Sequence, residues 1–317
     1  MTEHYVTLLD QAFLPQGLAL HTSLARHASP FVLWVLCIDN ESFEFLRSIR
    51  LAGLRPLSLA HHETDALRHA SLDRNIGEYC WTLTPFSMQW VLQADPTVKR
   101  ITYLDADIYF LASPDQIFRE FESSNKSVMI TEHDYSPQHD QTATCGRYCV
   151  QFLTIKRGSG EEVLRWWSQR CIEWCYSRFE NGQFGDQVYL TGFLEHFPDL
   201  TMVLSSNGKL LAPWNADYYR YSDAVLYHFH GLRICNSSFI RASKEPLSVP
   251  LKKYVYDPYV ATLQHLIAQY KLNWIRPQIK LTPKLRLVQL TSTLYSRLFD
   301  LLKTIPTPVV YTRTLTH

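Results

Sequence analysis

Two carboxylates set two residues apart, Asp105 and Asp107, follow the most strand-like apolar run in the first half of the chain, Arg100-Ile101-Thr102-Tyr103-Leu104. Ile101, Tyr103 and Leu104 are the β-branched, aromatic and aliphatic residues expected of a strand covered on both faces. On an extended backbone, side chains two apart point the same way, so the segment reads as one strand that delivers both carboxylates. Two hard oxygen ligands converging at a strand end suit a divalent cation such as Mg²⁺ or Mn²⁺. A buried strand does not tolerate two unpaired carboxylates, and a metal with a phosphate would neutralise them. A chain of this length carries about one Asp-x-Asp by chance, so the weight comes from the strand before it. The competing reading is a pair of solvated turn carboxylates.

Other groupings of metal-ligand type are weaker. Cys145/Cys149 and Cys171/Cys175 have a spacing that zinc tolerates, but one pair falls on a helix and nothing completes a four-ligand set. His61-His62-Glu63 with His69 has no metalloprotease spacing and reads as a polar surface segment.

A doubly wound α/β core must position these residues. Tyr5–Leu9 reads as a first strand ending at Asp10, with a helix over Gly17–Arg26. Phe31–Ile38 is a second strand, Glu41–Leu54 a helix and Pro56–Leu59 a third strand. A helix over Pro85–Gln93 precedes the Asp-x-Asp strand, and Val128–Thr131 and Val150–Ile155 are later strands. Glu161–Phe179 reads as a helix opened by Gly158-Ser159-Gly160, its tryptophans belonging to the core. Strands alternating with helices argue for a mostly parallel, Rossmann-like sheet.

The 317 residues are 46% hydrophobic and 19% charged, the composition of a folded chain able to bury a large core. Thirty-one basic residues against 30 acidic ones leave no field for nucleic acid. Seven cysteines form no disulfide framework, the N-terminus shows no signal-peptide pattern, and no window reaches membrane-spanning length. A cytoplasmic protein with free thiols is expected.

Three further segments join the Asp-x-Asp: Leu8-Leu9-Asp10-Gln11-Ala12-Phe13, Phe184-Gly185-Asp186-Gln187-Val188-Tyr189-Leu190 and Tyr227-His228-Phe229-His230-Gly231-Leu232-Arg233. In order and spacing over residues 5–235 they resemble the GT-A glycosyltransferases, most closely the retaining family 8 of glycogenin and bacterial lipopolysaccharide galactosyltransferases. The resemblance implies a GT-A catalytic domain over 1–245 and a nucleotide-sugar donor, UDP-linked, held with Mn²⁺ or Mg²⁺. It implies Asp105, Asp107 and His228 as metal ligands. Leu8, Asp10, Asp105, Ala106, Gly231 and Arg233 would contact the donor, and Asp186 and Gln187 would act at the anomeric carbon. The product would keep the donor's anomeric configuration, and the acceptor would be a glycan or a lipid-linked sugar, as in lipopolysaccharide synthesis.

Each residue also has a plainer reading. His228 alone is a buried, hydrogen-bonded histidine, and Arg233 a surface arginine. Asp186 is a helix N-cap, which does not conflict with a role at the sugar. Trp214, in Leu211-Ala212-Pro213-Trp214-Asn215, either stacks on an acceptor sugar or belongs to the core. Imidazole among carboxylates tilts the metal towards Mn²⁺. The chain departs from the family pattern in three places. Trp81 stands near the place of an arginine, Cys149-Val150-Gln151 replaces Asn-x-Gly, and the Lys-Pro-Trp after Gly231 is missing. These departures concern donor recognition, so the motifs leave the sugar open.

Residues 246–317 read as a basic, hydrophobic helical extension, with seven cations and one acid between Lys271 and Lys303. A helix over Leu285–Leu302 would either meet an anionic membrane at the inner face or dock on the catalytic domain. A homo-oligomer is left open. The rival functions are a sugar nucleotidyltransferase, for which Asp10–Pro15 lacks a glycine-rich loop, and a non-catalytic sugar- or membrane-surface binding protein.

Overall fold

The computed structural model describes residues 2–205, 208–236, 239–243, 246–279 and 309–312. β1 (Glu3–Leu9) leads through a 3₁₀ turn into α1 (Leu14–His27), then β2 (Phe31–Cys37), α2 (Asn40–Ile49) and β3 (Leu54–Ser58). Next come α3 (Asp65–Ser71), α4 (Ile76–Ala94), β4 (Arg100–Leu104), β5 (Ile108–Phe110) and α5 (Asp115–Ser123). β6 (Val128–Glu132), the single-turn α6 (Thr142–Cys145), β7 (Tyr148–Lys156), α7 (Gly160–Glu173), α8 (Leu190–His196) and β8 (Thr201–Leu204) follow. β9 (Leu210–Leu211), β10 (Leu226–His228), β11 (Arg233–Asn236) and β12 (Phe239–Arg241) are short. The last described elements are α9 (Val249–Leu251), a π-turn over Lys252–Tyr256, α10 (Asp257–Gln269) and β13 (Val310–Thr312).

Seven strands form the central sheet in the order β3-β2-β1-β4-β7-β6-β8. β3, β2, β1 and β4 are parallel, β7 runs against both β4 and β6, and β8 is parallel to β6. The expected α/β fold with a mostly parallel sheet is the one found. Alternate residues of β1 face opposite cores, as a pleat requires. Tyr5 and Leu9 pack with α1, β5, β10 and α10, whereas Val6 and Leu8 pack with α4 and α7. Leu251, Val255, Tyr256, Tyr259 and Leu263 belong to the first of these cores, and α10 lies against α1.

The largest differences from expectation fall at three helix boundaries. α4 starts at Ile76, not at Pro85, because Asn75 and Glu78 form a reciprocal capping box and Pro85 lies inside the helix. α2 stops at Ile49, where Arg50 turns into the left-handed region (φ 46°). α7 ends at Glu173 instead of Phe179. The buried Arg74 donates to the carbonyls of Cys171 (2.7 Å) and Ile172 (2.5 Å), satisfying the helix end, and Trp174 is extended. The helix expected over 285–302 lies outside the described residues. Among the described residues no helix is long and apolar enough to cross a membrane.

Candidate metal and donor site

The chain does not stay extended through Asp105 and Asp107, which corrects the single-strand reading. β4 pairs in the central sheet and β5 pairs with β10 in a second, three-stranded sheet. Asp105-Ala106-Asp107 is the turn between them, closed by the Ile108 N–H donating to the Asp105 carbonyl at 3.2 Å. The carboxylates converge because the chain changes sheets, not because they alternate on one strand. The antiparallel register sets His228 opposite Ile108, and the Phe229 N–H donates to the Asp107 carbonyl at 2.9 Å.

That register brings the imidazole to both acids. His228 Nε2 lies 3.1 Å from Asp107 Oδ1 and 3.5 Å from Asp105 Oδ2. One ligand atom from each of the three residues falls within 4.8 Å of the others. Nδ1 of His228 meets the Gln151 side-chain oxygen at 2.8 Å, and the Tyr103 hydroxyl donates to Asp105 at 3.0 Å. Burial pulls the His228 pKa down, but the Asp107 and Asp105 charges outweigh it and the net shift is upward. Burial pushes Asp107 up, yet His228 and more distant cations bring it down to about 2. Asp105 is raised by burial, with Asp107 adding to the effect and His228 opposing it. Two carboxylates and an imidazole facing one another form a donor set that fits a divalent cation accepting both oxygen and nitrogen.

Asp186 faces this cluster from another element. It is buried, and burial with the nearby Asp105 charge raises its carboxyl to about 7. The Thr84 hydroxyl of α4, which donates to the Cys80 carbonyl at 3.4 Å, is near enough to Asp186 and Tyr103 to favour their charged forms. The expected N-cap is not formed: a 3₁₀ turn over Gln187–Tyr189 follows, but the Asp186 side chain makes no capping bond. Gln187 Nε2 donates to the Cys145 carbonyl at 2.7 Å, so α6 fixes its amide. Gly185 adopts φ +57°, and an added Cβ there would stand 3.3 Å from the Trp81 ring.

The remaining candidates surround the end of β1. Leu8 is a buried strand residue and Ala106 is buried in the Asp-x-Asp turn. Asp10 accepts the Ala12 N–H at 3.0 Å, and burial raises its pKa. Gly231 turns at φ +88°, a conformation that favours glycine. Arg233 is half-buried, donates to the Leu232 carbonyl at 2.7 Å and lies 5.9 Å from the Phe13 ring. Its charge registers at both Asp107 and His228.

Five residues around the site were not among the sequence candidates. Gln151 stands out in the sequence only as part of a departure from a motif. Arg276, one of the tail cations, lies 3.4 Å from Asp10 and 3.7 Å from Asp39. His133, Tyr135 and His230 gather with Trp214, whose ring is 5.6 Å from that of His228. Trp214 also donates its indole N–H to the His133 carbonyl at 2.8 Å. Apart from His230, which sits in the Tyr227–Arg233 segment, no local pattern marks these residues, since their partners are distant in the chain. All seven cysteines are free thiols, and among the described residues the Asp105, Asp107 and His228 group is the one that could hold a metal.

No family model matches the chain. YfnF of Bacillus subtilis (strain 168), an uncharacterized protein, is 30% identical over 287 residues, spanning 84% of this chain and 93% of its own length. YfnD of the same strain, also uncharacterized, is 28% identical over 294 residues, spanning 84% and 90%. Among solved structures, the galactosyltransferase LgtC, in complex with donor and acceptor sugar analogues, matches with a TM-score of 0.51 at 12% identity. That match covers 83% of this chain and 95% of LgtC. At so low an identity the likeness is one of fold, and the fold is that of the GT-A glycosyltransferases. On its identity to YfnF over most of both chains, this chain belongs to the YfnF family.

Proposed function

We propose that the chain is a metal-dependent glycosyltransferase that moves a sugar from a UDP-linked donor to a glycan or lipid-linked acceptor, with retention of configuration. The observation that carries this reading is the convergence of Asp105, Asp107 and His228 at the mouth of a GT-A sheet. A divalent cation bound there supplies charge neutralisation for a departing diphosphate. Mn²⁺ suits the imidazole nitrogen better than Mg²⁺ does.

The chain's own residues supply the rest. Asp105 and Asp107 hold the cation and His228 completes the protein's share. Arg233, within electrostatic reach of Asp107, suits a phosphate oxygen, and the turn at Gly231 brings backbone close to it. Asp10 and Leu8, at the end of β1, suit the base and ribose. Asp186, buried beside the Asp105 charge, suits hydrogen bonding to sugar hydroxyls. Gln187, its amide nitrogen committed to Cys145, turns a fixed dipole to an oxocarbenium-like centre. Seven unpaired thiols suit a reducing cytosol.

The test is a panel of UDP-, GDP- and dTDP-sugars scored for Mn²⁺-dependent thermal stabilisation and then for turnover. A UDP-sugar should raise the melting temperature only with metal present. If no sugar nucleotide stabilises the chain with Mn²⁺, the reading fails.

A further inference from the structure

Gln151 lies in β7, is fully buried, and touches two of the three clustered side-chain bearers. Its backbone carbonyl accepts the Asp105 N–H at 3.4 Å. Its side-chain oxygen stands 2.8 Å from Nδ1 of His228. An amide oxygen only accepts, so Nδ1 carries the hydrogen of that bond. In the neutral ring the other nitrogen, Nε2, then presents its lone pair, and Nε2 is the atom nearest Asp107 and Asp105.

The alternative is a glutamine retained for packing. The Gln151 Nε2 is buried and has no protein partner, so the side chain meets the protein's hydrogen-bonding needs only through its oxygen, and only at His228. A packing residue with an orphaned amide nitrogen would be a net liability. Orienting a ligand histidine from behind gives that buried polar group a purpose.

We propose that Gln151 is the positioning residue of the cation site: it selects the Nδ1–H form of His228 and so aims Nε2 at the space shared with Asp105 and Asp107. This rests on the metal-dependent reading above and adds a role to a residue that the motifs do not include. Because the same residue also holds the Asp105 amide, it couples the turn between the two sheets to the strand that carries the imidazole.

The test is Mn²⁺ affinity of the full chain, measured by electron paramagnetic resonance without nucleotide. Gln151→Met keeps the length but loses the acceptor, and should bind Mn²⁺ about 10–100-fold more weakly. Gln151→Glu keeps an acceptor at Nδ1 and should stay within about threefold of wild type. Melting temperatures in EDTA check that both variants fold. If Gln151→Met binds like wild type, or if both variants are equally weak, the positioning role is overturned while the function stands. A wild type that binds no Mn²⁺ overturns both. Should Gln151→Met not fold, ¹⁵N–¹H correlation of wild-type His228 with diamagnetic Mg²⁺ decides. A protonated Nδ1 supports the assignment, and a protonated Nε2 overturns it.

Discussion

The indole N–H of Trp167 donates to the backbone carbonyl of Asp186 at 3.0 Å. A fully buried core residue of α7 thereby anchors the loop that carries the candidate catalytic pair. Trp167→Phe should leave that buried carbonyl without its partner and destabilise the chain by about 1–3 kcal/mol. Urea unfolding reads this directly, and an unchanged midpoint would show that the bond contributes nothing.

Asp186 makes metal-free stability depend on pH. An unperturbed aspartate titrates at 3.8, and here the carboxyl is raised to about 7 by burial and by Asp105. Between those values the folded chain binds the proton more tightly than the unfolded chain does. Its contribution is therefore fully present at low pH and is lost as pH rises through about 7. In EDTA at pH 8, Asp186→Asn should melt higher than wild type while losing turnover. A lower melting temperature would mean that the fold stabilises the anion.

Asp107→Ala removes the acid nearest His228. Donor turnover should fall by about 10²–10³-fold or more, with the circular dichroism spectrum unchanged. Full activity in the variant, or a wild type indifferent to EDTA, would remove the metal from the mechanism.

Protons and metal compete for Nε2 of His228, whose pKa the two carboxylates raise against the effect of burial. Mn²⁺ should therefore raise the melting temperature more at pH 8 than at pH 6, since the ligand must be deprotonated to bind. Differential scanning fluorimetry at both values measures it. An equal shift at both would place the cation elsewhere.

Stereochemistry tests the Gly185-Asp186-Gln187 element. An α-linked donor should give an α-linked product, visible in the anomeric proton signal. A β-linked product would make Asp186 or another acid the base of an inverting displacement.

The sequence by itself determined six of the seven strands of the central sheet and named the three ligand candidates, but not β8 or the reversed direction of β7. β1, β2, β4 and β6 are legible because continuous apolar runs, buried on both faces, end at polar or charged residues. It misplaced the start of α4, because Pro85 reads as a helix opener whereas the Asn75–Glu78 capping box opens the helix nine residues before it. What it could not determine was how the carboxylates meet the histidine. A strand and a turn differ at Asp105-Ala106-Asp107 only through which sheet receives the next residues. That choice is made by β10 pairing with β5, a register set by side-chain packing between segments remote in the chain. The same holds for Gln151 and Arg276. Each matters through a partner that only the folded chain brings near, and no local propensity encodes such a contact.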